Sequence, residues 1–558
     1  MILKSFSKPF SSFFSVIRLF RTFDKIICAG SKDKFFLKRL STPEISRFCV
    51  LYVALFAAAS FAVQLENWRL PYYQSGIIRG AGVSSPSGMF WDDIKGRTDS
   101  DSALWPDSVR FNSDHWIIEP SASYTAATDD TLLIDTSGID HYVNDKKQAQ
   151  LSQVRGSYWT GQVLNDIRYK NFLLRQTLNV DSRNKDDLDY RGKTDRFAAG
   201  KIVEAYCQAN WEYGFFRLGR LNRNWGPFPD RSLILSSNTQ SYDALEIQLA
   251  SSVFEFRDMF AVFPYSSSDI DASGNHYNRY LTAHSLNVVL GKFGAVGITE
   301  TVLFTRSSGL PDLQLINPFS IYTVINTNGE GDGNLMLGLQ WNLHTISRNV
   351  SFKGQVLIDD YQVDNKGPQD QEPNHWGADM GAYFTDFLPL KLPHIVSAEY
   401  RYLSRWLYTV APSNTLRGER YSYLGRSLGE SDNDGDCFNL SFLVSGKKFW
   451  TANGGISLTR KGENSIWSAW KNISADSLIA PDELGYRTEK SFPSGIVERT
   501  FDFYLNMRGY YKNLADISFR VDNCWIKNKN NVTAPSCYDP RLSLTLSLHY
   551  CDFFVRLP

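Results

Sequence analysis

The sequence predicts an all-β fold: a large antiparallel transmembrane β-barrel of about 18 strands (16–20), with a short N-terminal irregular or helical element. Three observations carry this expectation. Segments of roughly 9–12 residues alternate apolar and polar side chains, and that is the length a tilted strand needs to cross a bilayer. The chain holds 28 Tyr, 37 Phe and 14 Trp against 21 Pro and 6 Met, a composition suited to pleated surfaces and to aromatic girdles at a membrane interface. An apolar content of 43% is too low for a helical membrane protein, but it fits strands in which only alternate residues face lipid.

Residues 1–62 read as a presegment with a signal peptide. Its apolar h-region is 48–62, fifteen uncharged residues after Arg47 that end in Ser60-Phe61-Ala62, small at the positions a signal peptidase reads. Cleavage is expected after Ala62, because a membrane anchor needs about 20 apolar residues and Gln64-Leu65-Glu66 ends the run early. The presegment carries 10 Lys/Arg against 3 Asp/Glu, leaving 49 basic and 56 acidic residues, a net −7. Nucleic-acid binding calls for clustered basic surface, so it is excluded as a partner class. Residues 63–110, rich in Gly and Ser and then in Asp, read as an N-terminal irregular or plug-like segment, and 111–558 as the outer-membrane β-barrel.

Period-2 segments then recur along the chain. Val203, Ala205, Cys207 and Ala209 alternate with Glu204, Tyr206, Gln208 and Asn210. Leu245, Ile247 and Leu249 oppose Glu246 and Gln248, and Phe254, Phe256 and Phe260 oppose Glu255, Arg257 and Met259. Further on, Leu335 to Leu343 interleave with Met336, Gly338, Gln340 and Asn342, Phe501 to Met507 with Asp502 to Arg508, and Leu542 to Leu548 with Ser543 to His549. Tight connections such as Glu212-Tyr213-Gly214 alternate with long polar ones such as Asn365 to Trp376, the asymmetry of outer-membrane barrels. A soluble β-sandwich also alternates, but its strands are shorter, about 5–6 residues. Allowing roughly 25–30 residues per strand and loop, the chain after the leader holds on the order of 16–20 strands.

Five cysteines follow the leader, Cys207, Cys437, Cys524, Cys537 and Cys551. An odd number at irregular spacing does not make a disulfide framework, and whether Cys524 and Cys537 close one loop in an oxidising periplasm is left open by the sequence. No zinc spacing occurs, so neither a metal nor a cofactor is expected. Asp432-Asn433-Asp434-Gly435-Asp436 lacks the glycine position and terminal Glu of a calcium loop and reads as a solvated loop. His284-Ser285 cannot pair as base and nucleophile, because adjacent strand residues point to opposite faces.

The run Leu218-Gly219-Arg220, Asn224-Trp225-Gly226-Pro227 and Ser232-Leu233-Ile234-Leu235-Ser236-Ser237-Asn238 resembles the signature of the Wzi-type capsule assembly family of Gram-negative outer-membrane proteins. Four later stretches are similar to that family in the same order. They are Arg279-Tyr280-Leu281-Thr282-Ala283-His284 with Gly297 to Val302, Ile316-Asn317-Pro318-Phe319, Asn334 to Leu339, and Gly354 to Asp360 with Ala398-Glu399-Tyr400. The resemblance implies an 18-stranded barrel whose polar face and outer loops hold surface polysaccharide without chemistry. It departs at the C-terminus, where barrel chains usually end on an aromatic and this one ends Phe553-Phe554-Val555-Arg556-Leu557-Pro558.

Trp225 is an aromatic on a rigid loop, a type that can stack on a sugar ring, and Arg220, Arg223 and Arg231, with Arg217, can grip carboxylates bidentately. Trp225, Arg220, Arg223 and Arg231 are therefore the candidate polysaccharide-binding residues. The competing readings are packing against the wall for Trp225 and ion pairs with wall carboxylates such as Glu246, Glu255, Glu300 and Asp359 for the arginines. The expected function is a non-catalytic outer-membrane barrel that binds surface or capsular polysaccharide and supports capsule assembly. A sugar-selective or general porin is the first alternative, and an outer-membrane enzyme acting on glycan or lipid the second. Expected partners are the polysaccharide, outer-membrane lipids and the barrel insertion machinery, for a protein acting as a monomer.

Overall fold

The computed structural model describes residues 115–127, the pairs 134–135 and 150–151, and most of 157–556, the longest interior exceptions being 264–276, 361–373 and 469–491. The leader and the plug-like segment expected over 1–110 lie outside the described residues. Eighteen antiparallel strands close into one barrel. They are β1 (His115–Ala127), β2 (Ser157–Tyr169), β3 (Phe172–Asp181), β4 (Ala199–Trp211), β5 (Gly214–Leu221), β6 (Tyr242–Ala250), β7 (Phe254–Phe263), β8 (Asn278–Val289) and β9 (Gly294–Arg306). The second half comprises β10 (Asn334–His344), β11 (Val350–Asp360), β12 (His375–Thr385), β13 (His394–Leu403), β14 (Gly435–Gly446), β15 (Trp450–Lys461), β16 (Glu498–Tyr511), β17 (Ala515–Lys527) and β18 (Cys537–His549, resumed as Phe553–Arg556).

Each strand pairs with its neighbour in sequence, and the ring closes where Thr125 of β1 faces Thr545 of β18 and Ile118 faces Phe553. Phe553 and Phe554 thus lie in the resumed last strand. Closure gives each described strand of the ring a neighbour on both sides, so the barrel presents no open sheet edge to lipid among the described residues. Connections alternate in length: 170–171, 212–213, 251–253 and 290–293 are short and lie at one end, while 222–241, 307–333, 404–434 and 462–497 are long and lie at the other.

The alternation sorts as the sequence leads one to expect. Phe216, Leu218, Leu245, Leu249, Leu286, Ile298, Leu544 and Leu546 are exposed on the outer face. In β10 every second residue from Asn334 to His344 is buried, with Leu335 to Leu343 on the other side. Period-2 patterning on a closed wall can only mean one face to lipid and one to the lumen.

The interior of this barrel is packed by two long connections that fold back into it. The largest buried cluster joins Trp225, Leu233, Ile234 and Leu235 from 222–241, Leu407, Tyr408, Tyr421, Tyr423 and Leu428 from 404–434, and wall residues Leu281, Leu303, Met336 and Leu357. A third connection, 307–333, carries the short helices α1 (Leu313–Ile316) and α2 (Tyr322–Thr327).

One open question is answered and one local expectation is corrected. Cys524 and Cys537 are free thiols, because Cys524 stands opposite Asp539 and Cys537 opposite Ile526, out of register for a bridge. The Asp-rich stretch is not a solvated loop either, since Asn433 and Asp434 are fully buried. Asp434 accepts from the Ser494 amide at 3.0 Å and the Asn464 amide at 3.1 Å, as well as from the Ser494 hydroxyl, and so fastens the base of the 462–497 connection. Gly435 and Asp436 already belong to β14.

Candidate functional site

The 222–241 connection holds itself together by short polar side chains that capture its own backbone, a local habit of Asn and Ser. Asn222 Nδ2 donates to the Ser237 carbonyl at 2.9 Å, Asn224 Nδ2 to that of Phe228 at 2.6 Å, and Ser232 Oγ to that of Trp225 at 2.7 Å. Trp225 and Leu235 form an isolated bridge through the Trp225 amide at 2.8 Å. Gly226 is a point of close approach, where a Cβ would lie 2.8 Å from Gln355 Nε2 and 2.9 Å from Ser232 Oγ and would push both side chains aside. Gly219, at φ +135°, is required where β5 pairs with β4, because its Cβ would lie 2.2 Å from the Ala205 carbonyl oxygen.

The wall receives this loop with buried polar side chains. Gln355 of β11 donates through Nε2 to the Trp225 carbonyl at 3.1 Å and accepts the Leu233 amide through Oε1 at 2.8 Å. The second loop clamps it from the other side: the Tyr408 hydroxyl donates to the Leu233 carbonyl at 2.6 Å and the Tyr421 hydroxyl to the Ile234 carbonyl at 2.7 Å. Burial pushes both phenols well above the ordinary tyrosine range. Arg279 of β8 fixes the second loop in turn, donating to the carbonyls of Gly418 at 2.7 Å and Ser422 at 2.8 Å. A bulge in β11 leaves Asp359 out of the ladder, and its carboxylate accepts the Tyr408 amide at 2.8 Å.

The four candidate residues do not converge on one surface. Trp225 is 3% exposed, its ring under the Arg257 guanidinium at 5.2 Å, so it is part of the packed interior. Arg223 is buried and donates to the Tyr242 carbonyl at 2.9 Å. With Arg217 and Arg257 it surrounds Glu246 at 3.2–3.5 Å. Arg231 extends the other way to Asp379 and Glu399, both at 2.7 Å, with 19% of its side chain exposed. Arg220 lies on the outer face, opposite Asp243 at the end of β5 nearest the long loops, and pairs with it at 2.5 Å.

Of the wall carboxylates expected as partners, Glu246 fits. Glu300 does not: it faces outward and accepts from His284 and from the 307–333 connection. Sequence reasoning missed Gln355, Arg279, Tyr408, Tyr421 and Asp379. Gln355, like Arg279, carried one usable signal, a polar side chain at an inward position of a strand that also places aliphatic residues inward.

Inside β14–β18 the environment changes. Asn439, Ser441, Asn453, Ser457, Asp502, Asn506, Ser518, Ser543 and Thr545 face inward and remain half-exposed. Among the described residues no group of His, Cys, Asp or Glu is arranged to hold a metal ion.

A closed antiparallel barrel with an apolar outer face and short turns at one end only defines an integral outer-membrane protein, and the outer membrane is its location. No family model and no curated protein matches the chain in sequence. Among solved structures it is similar to Wzi of Escherichia coli, described as an outer-membrane protein involved in group 1 capsule assembly and a carbohydrate-binding β-barrel. The identity is 12% and the TM-score 0.51, over 87% of this chain and 94% of that one. Two Acinetobacter baumannii structures also match: the outer-membrane channel DcaP, at 10% identity and TM-score 0.34 over 79% of this chain and 96% of that one, and OccAB4, at 9% and 0.40 over 79% and 98%. At these identities the likeness is one of fold.

Proposed function

We propose that this protein is a non-catalytic outer-membrane barrel that holds surface or capsular polysaccharide at its long-loop end and so supports capsule assembly. The observation that carries this reading is the packed interior. Two loops fill the barrel against β5–β13 through buried aromatic and hydrogen-bonded contacts, an arrangement that spends the lumen on fixing the shape of the loop end. Similarity to a carbohydrate-binding barrel and the five family-like stretches support it, and several residues of those stretches, Trp225, Arg279, Gln355 and Glu399, meet around the infolded loops. In this reading Trp225 and Arg223 position the loop, while Arg231 and Arg220 are the candidates that solvent, and hence a glycan, reaches.

Deleting the protein is expected to release polysaccharide from the cell surface into the medium. Unchanged surface glycan would overturn the proposal. Trp225→Ala then separates the two roles of the loop: a folded barrel with weaker glycan retention marks a binding element, and an unfolded one a structural residue. The half-exposed polar lining of β14–β18 favours one second reading, a sugar-selective or general porin. Steady, large single-channel currents from the pure protein in planar bilayers would establish it at the expense of the first.

A further inference from the structure

Three outward-facing ionisable residues lie side by side across β7, β8 and β9. Asp258 stands opposite His284, and His284 opposite Glu300, in one row of the ladder. The rung toward the short turns is apolar, Phe256, Leu286 and Ile298, and the rung toward the long loops is Phe260 and Val302 with the buried Thr282 between them. An intact row of this kind against acyl chains is strongly unfavourable, since charge in hydrocarbon must be neutralised or covered.

It is covered by the connection 307–333. The Glu300 carboxylate accepts the Tyr322 amide at 2.9 Å and the Thr323 hydroxyl at 2.5 Å, together with His284 Nε2 at 2.9 Å. The Tyr322 ring lies 4.2 Å from the His284 ring. At the rim the segment is tethered by Arg306 to Asp312 and by the Tyr280 hydroxyl to the Gly309 carbonyl at 2.8 Å. From that rim it descends past the Glu300 row, and Phe319 stacks on Phe256 one rung lower, at 6.4 Å. Glu300 lies six residues below Arg306, a descent of roughly 15 Å along the membrane normal for a strand rising ~3.3 Å per residue at a ~40° tilt.

The far side of this segment is apolar from Leu313 to Val324 except at the exposed Asn317, and turns polar at its end with the exposed Asn326 and Thr327. Leu313 is 83% and Phe319 84% exposed, and Ile321 and Val324 are also exposed. No charged residue occurs from Leu313 to Gly329, whereas the 404–434 connection carries several. Its backbone is largely satisfied within itself, with Ile316, Asn317, Val324, Ile325 and Asn328 amides donating to carbonyls three or four residues back, as a chain exposed to hydrocarbon requires.

We infer that residues 313–327 are a membrane-embedded cover that lies against the outside of β7–β10, presents Leu313, Phe319, Ile321 and Val324 to the acyl chains of the outer leaflet, and is clasped to the wall by Glu300. The occupant of its apolar face is lipid, because that face continues the lipid-facing surface of the barrel.

Spin labels at Leu313→Cys and Phe319→Cys, in a chain whose own cysteines are serine, test this in phosphatidylcholine vesicles. Both labels should collide with oxygen in preference to a water-soluble nickel chelate, as a label at Leu286→Cys on the wall does. Nickel accessibility equal to that of a label at Val532→Cys, in the 528–536 connection, would overturn the inference, and so would shielding from both reagents, which would mean that protein covers the face. Glu300→Ala should raise nickel accessibility at position 319, and no change would overturn the clasp. If the cysteine-free chain does not fold, Phe319→Arg in the native background gives the same reading. It should lower the folded-to-unfolded ratio in vesicles by about tenfold or more while Val532→Arg does not, and equal effects would overturn the inference.

Discussion

Strands β5–β13 and β14–β18 share one sequence rule, apolar outward and polar or small inward, and yet their inward faces meet different surroundings. On the first arc Glu246, Arg279, Thr301, Gln355 and Asp379 are all buried beneath the two infolded loops. On the second, Asn439, Asn453, Asp502, Ser543 and Thr545 stay half-exposed. The lumen of this barrel is therefore a protein core on one side and a polar surface on the other. Energetic weight follows that division, since a polar group without water has to be satisfied by protein.

The comparison breaks most sharply at Glu246. Glu246→Ala leaves Arg217, Arg223 and Arg257 crowded and uncompensated in the buried arc, and is expected to cost roughly 3–5 kcal/mol, read from urea unfolding followed by tryptophan fluorescence. A destabilisation below about 1 kcal/mol would mean that water reaches this cluster.

Next in size is the clamp between the loops. Tyr408→Phe combined with Tyr421→Phe strands the Leu233 and Ile234 carbonyls, at about 1–3 kcal/mol for each lost partner. Loosening the packed arc should also raise conductance in planar bilayers. The same clamp has a pH signature. Both phenols are held protonated in the folded state, so their contribution is complete below the unfolded tyrosine value near ~10 and is lost as pH rises beyond it. Unfolding midpoints should therefore fall from about pH 10 upward, and less so in the double phenylalanine variant.

Arg220→Ala removes a rim pair with Asp243 on the outer face and should change stability by about 0–1 kcal/mol. A loss of glycan retention in that variant, with unfolding unchanged, would identify Arg220 as a contact. The smallest effects belong to the polar arc, where Ser543→Ala and Ser457→Ala should stay within about 0.5 kcal/mol of the parent. A larger loss there would show that this arc, too, is packed.

The fold was legible because its signal is local and repeated. Leu335 to Leu343, Phe501 to Met507 and Leu542 to Leu548 each declare a lipid face by period alone, and the tight connection at Glu212-Tyr213 declares the short-turn end. The candidate site was legible only in part. Asn224-Trp225-Gly226-Pro227 was recognisable as a special loop, but its direction was not, since an outward loop and one folded into the lumen satisfy the same turn chemistry. That direction is set by Gln355, 130 residues away, and by tyrosines beyond position 400. Arg220 was grouped with Arg223 and Arg231 by nearness in sequence, although alternation from the inward Arg217 puts it on the outer face, while Arg223 and Arg231 lie past the end of β5, where alternation says nothing. Glu300 was placed among the arginine partners, although strict alternation from the inward Thr299 puts it outside.

The strand pattern, the antiparallel barrel class and the residues of each strand that share a face are all written in the sequence, because they follow from backbone geometry and the solvent on either side. Which long connections enter the lumen, which one lies on the outer wall over His284 and Glu300, and where the interior is packed or polar emerge only in the folded barrel. These are outcomes of long-range burial and hydrogen bonding between segments far apart in the chain, and no local periodicity encodes them.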